Sequence, residues 1–264
     1  MITSVDITNV LRELGVGPSD TVFVHSDVSR CLRVAGRTRK DKLETVLRGL
    51  ADSVPEGTLI MPTFSYSFCR HEVFHLERSP STCGVLTEYF RGRPGVRRTA
   101  DPIFSAAVLG AVPGQWEREL FGVGDKDCFG PQSIFAYLLE VNAHHVCLDT
   151  TTCTFIHHVE QREGVPYRYF KEFRGVVAQD ARVTLATARY FVRPLEDEFE
   201  AVIDPLARTL LARGRARAIR LERGPELWAA RAGAIAQTVV EEMEANPEFL
   251  LRRGHRELSG VGNG

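Results

Sequence analysis

The sequence predicts an α/β layered domain, and three observations carry that prediction. Short β-branched apolar runs at Thr21–His25 and Thr58–Pro62 flank a stretch of helical period at 40–53, the strand–helix–strand order of an α/β layer. The alternation recurs along the chain to about residue 163. No stretch rich in Pro, Gly or Ser interrupts it, so one compact domain over 1–258 is expected, with a Gly-rich flexible tail at 259–264.

Each element has its own reason. Residues 5–14 put Val10, Leu11 and Leu14 at helical spacing, and Gly15 stops the helix. Thr21–His25 reads as a buried strand, and 40–53 as a helix through Leu43, Val46, Leu47 and Leu50. Thr58–Pro62 is a second apolar strand, closed by its proline. Ser81–Phe90 reads as helix, Ser105–Gly110 as strand, Ser133–Glu140 as helix and His145–Leu148 as strand. Thr154–Glu163 is a helix ended by Gly164 and Pro166. Beyond it, Arg182–Val192 and Ala216–Leu221 read as extended, and 196–214 and 225–245 as helices.

Composition excludes several classes. The 264 residues carry a formal net charge of −1, so no bulk attraction to nucleic acid or to an anionic membrane is expected. No run approaches the length of a membrane span, and the first residues show no basic region followed by an apolar stretch. A cytoplasmic protein is therefore expected. The six cysteines, at 31, 69, 83, 128, 147 and 153, form no CxxC pair, which argues for reduced thiols, no metal site and no disulfide framework.

The chemistry concentrates between 145 and 166. An apolar strand runs into Asp149-Thr-Thr-Thr-Cys-Thr154 and then into a helix carrying His157, His158 and Glu160. Thr151 or Thr154 is placed to cap that helix. His157 and Glu160 are three residues apart, hence on one face, so the carboxylate can hold one ring nitrogen and raise the basicity of the other. A base poised near neutrality suits amine acylation, since an ammonium must lose a proton before it attacks a thioester. His157 and His158 point about 100° apart and do not converge with Cys153 on one ion.

Thr152-Cys-Thr154-Phe-Ile-His157-His158-Val-Glu160 resembles the Thr-x-Thr-Leu-Leu-His-His-Ala-Glu segment of the aminoglycoside 3-N-acetyltransferases. Val24-His25-Ser26-Asp27-Val28-Ser29 is similar to that family's Val-His-Ser-Ser-Leu-Ser turn, and Gly57–Ser65 to its Gly-Thr-Leu-x-Met-Pro-Thr-Phe-Ser strand. Ser79–Arg91 resembles its Ser-Pro-Ser-x-x-Gly-x-Leu-x-Glu-x-Phe-Arg segment, and Phe129–Ser133 its Phe/Tyr-Gly-x-x-Ser turn. Ala245–Leu251 is similar to its Asp-Pro-x-x-Leu ending. The likenesses run in the family's order from about residue 5 to residue 251.

The resemblance implies a central mixed sheet with helices on both sides, and direct acyl transfer from acetyl-CoA to a small-molecule amine. It implies His157 as general base, with Glu160 orienting it or meeting the substrate. It implies that the turn His25, Ser26, Asp27, Val28 and Ser29, together with Thr63, Phe64, Ser65 and Ser105, binds the coenzyme. Hydroxyls and backbone N–H groups after a strand suit phosphate. Asp149, Thr151 and Tyr66 would meet the amine, and a homodimer is allowed. Whether a backbone N–H or the His25 side chain stabilises the thioester oxyanion is left open.

The departures from the family pattern bear on the substrate. Thr151 stands where many relatives carry aspartate, and Asp101-Pro-Ile-Phe104-Ser105 replaces the His-Pro-x-His-Ser of some. Only Gly36 remains of a glycine pair, among Arg30, Arg33, Arg37, Arg39 and Lys40, and 69–78 is rich in Arg and His. A polycationic aminoglycoside asks for carboxylates, whereas these segments suit phosphates. Acyl transfer to an aminoglycoside or similar amino sugar is the leading expectation; a biosynthetic N-acyltransferase acting on a nucleotide-linked amino sugar or phosphonate amine is the alternative. A catalytically silent binding protein and a hydrolase using Cys31 or Cys153 are the readings from other classes.

Overall fold

Val22 and Val24 enter one apolar core and Phe23 the other, because successive residues of a strand point to opposite faces. The same division separates Leu59 and Met61 from Ile60, and Val146 and Leu148 from Cys147. Strands buried on both faces read as unbroken apolar runs, which is why their sequence signal is strong.

The computed structural model describes residues 1–29, 33–194, 199–201, 204–222 and 224–253. The first half contains α1 (Ser4–Glu13), β1 (Thr21–Ser26), α2 (Arg39–Ala51), β2 (Thr58–Pro62), β3 (Phe74–His75), α3 (Val85–Arg91), β4 (Arg97–Arg98) and β5 (Ala106–Leu109). The middle contains α4 (Trp116–Phe121), β6 (Lys126–Asp127), α5 (Ile134–Glu140), β7 (His144–Leu148) and α6 (Ile156–Glu163). There follow β8 (Tyr169–Gln179), β9 (Arg182–Val192), β10 (Phe199–Ala201), α7 (Asp204–Ala212), β11 (Ala216–Arg220), β12 (Glu226–Arg231), α8 (Ala232–Ala245) and β13 (Leu251–Arg253).

The central sheet has the order β11-β12-β7-β1-β2-β5-β4, parallel through β7, β1 and β2 and antiparallel at both flanks. α1, α2 and α3 contribute to the core on one face, and α5, α6, α7 and α8 to the core on the other. A second sheet, β3-β8-β9-β6, packs into that latter core through Phe74, Val177, Ala186 and Ala188. This is the expected mixed α/β architecture. No helix among the described residues is long and apolar enough to cross a membrane.

Several expectations need correction. Residues 225–245 are not one helix: Glu226–Arg231 is a strand inserted between β7 and β11, and only Ala232–Ala245 is helical. Its Leu-Trp-Ala-Ala core suits either period, and the two open sheet edges decided the outcome. Of the segment 196–214, the helix covers only Asp204–Ala212, and Phe199–Ala201 is a short strand. The strand β8 had no sequence signal strong enough to place it. Only Val177 and Ala178 of its eleven residues are buried, and it joins β9 through the two residues Asp180 and Ala181, with Asp180 at φ 50, a turn without glycine. The helix expected from Ser81 begins at Val85, because Gly84 sits at φ 111 and Ser81 Oγ accepts the Cys83 N–H in a side-chain turn. The 259–264 tail and Cys31 lie outside the described residues.

Candidate active site

α6 begins just beyond the C-terminal end of β7. Its first turn lacks the expected threonine cap: Phe155 holds the cap position without a side-chain bond, and Thr154 serves through its carbonyl, which accepts the His157 N–H at 3.1 Å. At its far end Gly164 adopts φ 64, a left-handed cap that a side chain would strain. The helix is held against α8 and the second sheet.

On this helix His157 Nδ1 lies 2.6 Å from Glu160 Oε2. Glu160 is completely buried, yet two other donors meet it: Arg168 Nη2 at 3.0 Å from Oε2, and the Tyr167 hydroxyl at 2.9 Å from Oε1. Burial alone would raise the Glu160 carboxyl, but the His157 hydrogen bond and charge, Arg168 and Tyr167 together bring it below the ordinary glutamate value. An ionised carboxylate only accepts, so Nδ1 of His157 carries the proton and donates it to Glu160. Arg168 Nη2, 3.1 Å from the same Nδ1, then acts on the ring as a close positive charge. The consequence is a fixed tautomer whose Nε2 lone pair is uncommitted.

The expectation of a base raised toward neutrality is corrected. Burial is the largest influence and pushes His157 below the ordinary histidine value; the Glu160 hydrogen bond opposes it, and the Arg168 charge adds to it. His157 keeps 20% of its side chain exposed, so the ring still reaches solvent. One side of the ring meets buried aromatic residues. Phe129 lies 5.3 Å from His157 between ring centres, Phe104 4.6 Å from Phe129, and Tyr190 4.8 Å from Phe104.

A cavity of about 810 Å³ opens at the C-terminal end of β1, lined by Ser26, Asp27, Val28 and Ser29 on one side and Thr82–Leu86 on another. The Asp27 carboxylate accepts the Ser29 N–H at 2.9 Å and so fixes the turn. Arg37, Arg39 and Lys42 stand at the cavity wall. Among the described residues neither Arg37 nor Arg39 forms an ion pair, whereas Arg70 of the other basic segment is bound to Glu72. His25 is buried beside the turn, its ring 5.2 Å from His145 and its Nε2 without a partner; burial and the neighbouring His145 depress it well below the usual histidine value.

The other expected site residues are dispersed. Thr63 and Ser105 are completely buried and do not line this cavity. They belong to a cluster around Arg98, whose guanidinium donates to the Thr63 and Ser79 carbonyls at 2.5 Å each and to Ser105 Oγ at 3.0 Å. Phe64 and Ser65 are buried, and the Phe64 carbonyl accepts from the N–H and hydroxyl of Thr82, tying this strand end to the cavity wall. Tyr66 is half-exposed over Phe104. Asp149 adopts φ 54 and bonds to Glu226 of β12, and Thr151 donates to Asp204 at 2.6 Å.

Arg168, Tyr167 and Arg98 went unnoticed in the sequence, and Phe129 entered only as the first residue of a turn. Only the Val165-Pro-Tyr-Arg168 segment, immediately after a histidine–glutamate helix, offered a signal for the first two. Nothing in the local sequence sets Arg98 apart from the other arginines; its burial does. Cys153 is fully buried and its thiol is pushed up to about 12, a poor nucleophile at neutral pH.

Known proteins match this arrangement over most of its length. The sequence profile of the aminoglycoside 3-N-acetyltransferase family matches residues 23–244. Aminoglycoside N(3)-acetyltransferase VII of Streptomyces paromomycinus is 27% identical over 207 residues, which cover 68% of this chain and 67% of that protein. The solved structure of AAC-IIIb as a binary complex with CoASH superposes with a TM-score of 0.74 at 25% identity, covering 92% of this chain and 96% of that one. That of the aminoglycoside acetyltransferase AAC(3)-Xa gives 0.75 at 23% identity, covering 94% of each chain, a likeness of fold. The match across most of the chain settles its membership: it belongs to the aminoglycoside 3-N-acetyltransferase family, a family of acyl-CoA-dependent N-acyltransferases.

Proposed function

We infer that this chain transfers the acetyl group of acetyl-CoA to an amine of an aminoglycoside by direct attack, with His157 as general base. The observation that carries this reading is the buried Glu160–His157 pair, whose Nδ1–H is committed to the carboxylate and whose Nε2 is not. Family membership and the curated relative's name supply the acceptor class.

The residues present fit the coenzyme. The 810 Å³ cavity is large enough for a nucleotide-sized group, Arg37 and Arg39, which form no ion pair among the described residues, bring positive charge to it, and the 26–29 turn offers hydroxyls and backbone N–H groups. AAC-IIIb, solved with CoASH, supports the same assignment. Bound there, acetyl-CoA supplies the activated thioester. His157 Nε2 takes the proton from the attacking amine as the C–N bond forms, Glu160 stabilises the imidazolium that results, and the coenzyme A thiolate that leaves as the C–S bond breaks takes that proton. Arg168 and Tyr167 hold Glu160 so that the ring cannot turn. Tyr66, Asp149 and Thr151 are the residues proposed to meet the acceptor, and Thr63 and Ser105 serve the coenzyme path indirectly through Arg98.

The test is thiol release from acetyl-CoA with a panel of aminoglycosides and nucleotide-linked amino sugars at equal concentration. Turnover with aminoglycosides is expected. Turnover confined to the nucleotide-linked sugars would move the protein to biosynthesis, and no thiol release with any amine would refute the reading.

A further inference from the structure

A second cavity, of about 530 Å³, is bounded by His158 and Gln161 of α6 and by Trp116, Asp127 and Glu140, and His157 is not in its wall. Neighbouring positions on a helix point about 100° apart, so His158 is turned away from the face on which His157 meets Glu160.

The donors in this wall are already committed. The Trp116 indole N–H donates to Glu140 Oε1 at 2.7 Å, and Gln161 Nε2 donates to Asp127 Oδ1 at 2.9 Å. His158 Nδ1 lies 2.7 Å from the Phe129 carbonyl, an oxygen that only accepts, so Nδ1 carries the proton. Arg189 donates to Asp127 Oδ2 at 2.5 Å and stacks on Phe170, and Arg162 is paired with Glu163 at 2.9 Å.

Acceptors are what remain. Gln161 gives its amide nitrogen to a carboxylate, and its Oε1 is buried without a partner. His158 is 7% exposed, and its Nε2 makes no bond among the described residues. Burial holds this histidine below its ordinary value, so at pH 7 the ring is neutral and Nε2 offers a lone pair. Glu140 is half-buried, and among the described residues it forms no ion pair and its Oε2 makes no bond. One carboxylate, one imidazole nitrogen and one amide oxygen therefore stand in the wall with no free donor beside them. A primary ammonium is their complement, since it carries three N–H donors, a positive charge and no lone pair. A phosphate or carboxylate would bring acceptors to acceptors. The volume is that of a small-ligand site, and Pro131, Ala136 and Leu139 supply apolar wall for the rest of such a molecule.

We propose that this cavity is a binding site for the primary ammonium group of a small organic amine, an amino sugar or a linear diamine, with Glu140 as its counter-ion. The site holds an amine in its protonated form, whereas His157 takes a proton from the amine that reacts, so the proposal stands independently of the acyl-transfer reading.

The experiment follows the two indole N–H resonances of isotope-labelled wild-type protein during titration with glucosamine, with putrescine and, as the neutral control, with N-acetylglucosamine. Of the two tryptophans, Trp116 reports on the cavity through its bond to Glu140, and Trp228, bonded to the Thr150 carbonyl, reports on another part of the fold. A saturable shift of the Trp116 resonance with an amine is expected, with N-acetylglucosamine binding at least ~10-fold more weakly, the difference between a charged and a neutral hydrogen bond. The tighter of the two amines identifies the source of the ammonium. Glu140→Gln keeps an oxygen for Trp116 and removes the charge, and should weaken amine binding by about 10-fold. No saturable Trp116 shift with either amine, an equal response to N-acetylglucosamine, an unchanged affinity in Glu140→Gln, or a shift confined to Trp228 would each overturn the proposal. None of these results bears on thiol release, whose absence would overturn the acyl-transfer reading alone.

Discussion

Replacing Arg168 by methionine probes how the buried carboxylate is held. Arg168 and Glu160 are 3% and 0% exposed in their side chains and 3.0 Å apart. At an effective dielectric of about 20, that separation corresponds to roughly 5 kcal/mol of attraction. Removing one partner of such a pair leaves a buried charge uncompensated, at a cost of about 3–5 kcal/mol. For a chain of this size each kcal/mol lowers the midpoint by about 2–4 °C, so Arg168→Met should melt roughly 6–20 °C below wild type. The same change removes a positive charge 3.1 Å from His157 Nδ1. That charge lowers the His157 pKa, so its loss raises it, and the acid limb of kcat/KM should move to higher pH. Thermal unfolding at pH 7 and a pH–rate profile read the two effects separately. A variant melting within about 2 °C of wild type with an unmoved acid limb would refute the electrostatic account of Glu160.

Other consequences follow from the same geometry. Because burial holds His157 below 6.5, its neutral form predominates at pH 7, and activity should persist as pH falls until the depressed pKa is crossed; an acid limb centred above 7 would contradict this. Cys153→Ala should leave turnover within about two-fold, since a thiol pushed up to about 12 is protonated at neutral pH; loss of turnover would revive a cysteine mechanism. Arg98→Met strips donors from the Thr63 and Ser79 carbonyls and from Ser105, at about 1–3 kcal/mol each, and should lower the melting point and raise KM for acetyl-CoA. An unchanged KM in a folded Arg98→Met protein would separate that cluster from the coenzyme path.

Legibility from sequence tracked the kind of burial each element experiences. β1, β2 and β7 are enclosed on both faces, so their runs of valine, isoleucine and leucine announced them. β8 buries only two of its eleven residues and lacks a glycine-rich turn, and β12 carries an Ala-Ala sequence that suits either period. Both depend on partners distant in the chain. The site divided in the same way. His157 and Glu160 are neighbours on one helix and their pairing follows from a three-residue spacing. Arg168 and Tyr167 reach the same carboxylate from the strand side, and the Arg98 cluster gathers residues from three loops. Such convergence is a property of tertiary structure and leaves little local pattern. Thr63 and Ser105, which the resemblance assigned to the coenzyme, are buried and anchor the framework behind the cavity.

The central claim, that His157 is the base, is tested most directly by His157→Ala, measured for thiol release with acetyl-CoA and a turned-over aminoglycoside and, in parallel, for coenzyme A binding. The account predicts a kcat lowered by roughly 10²–10⁴ with coenzyme A affinity retained. Turnover within a factor of two of wild type would contradict it.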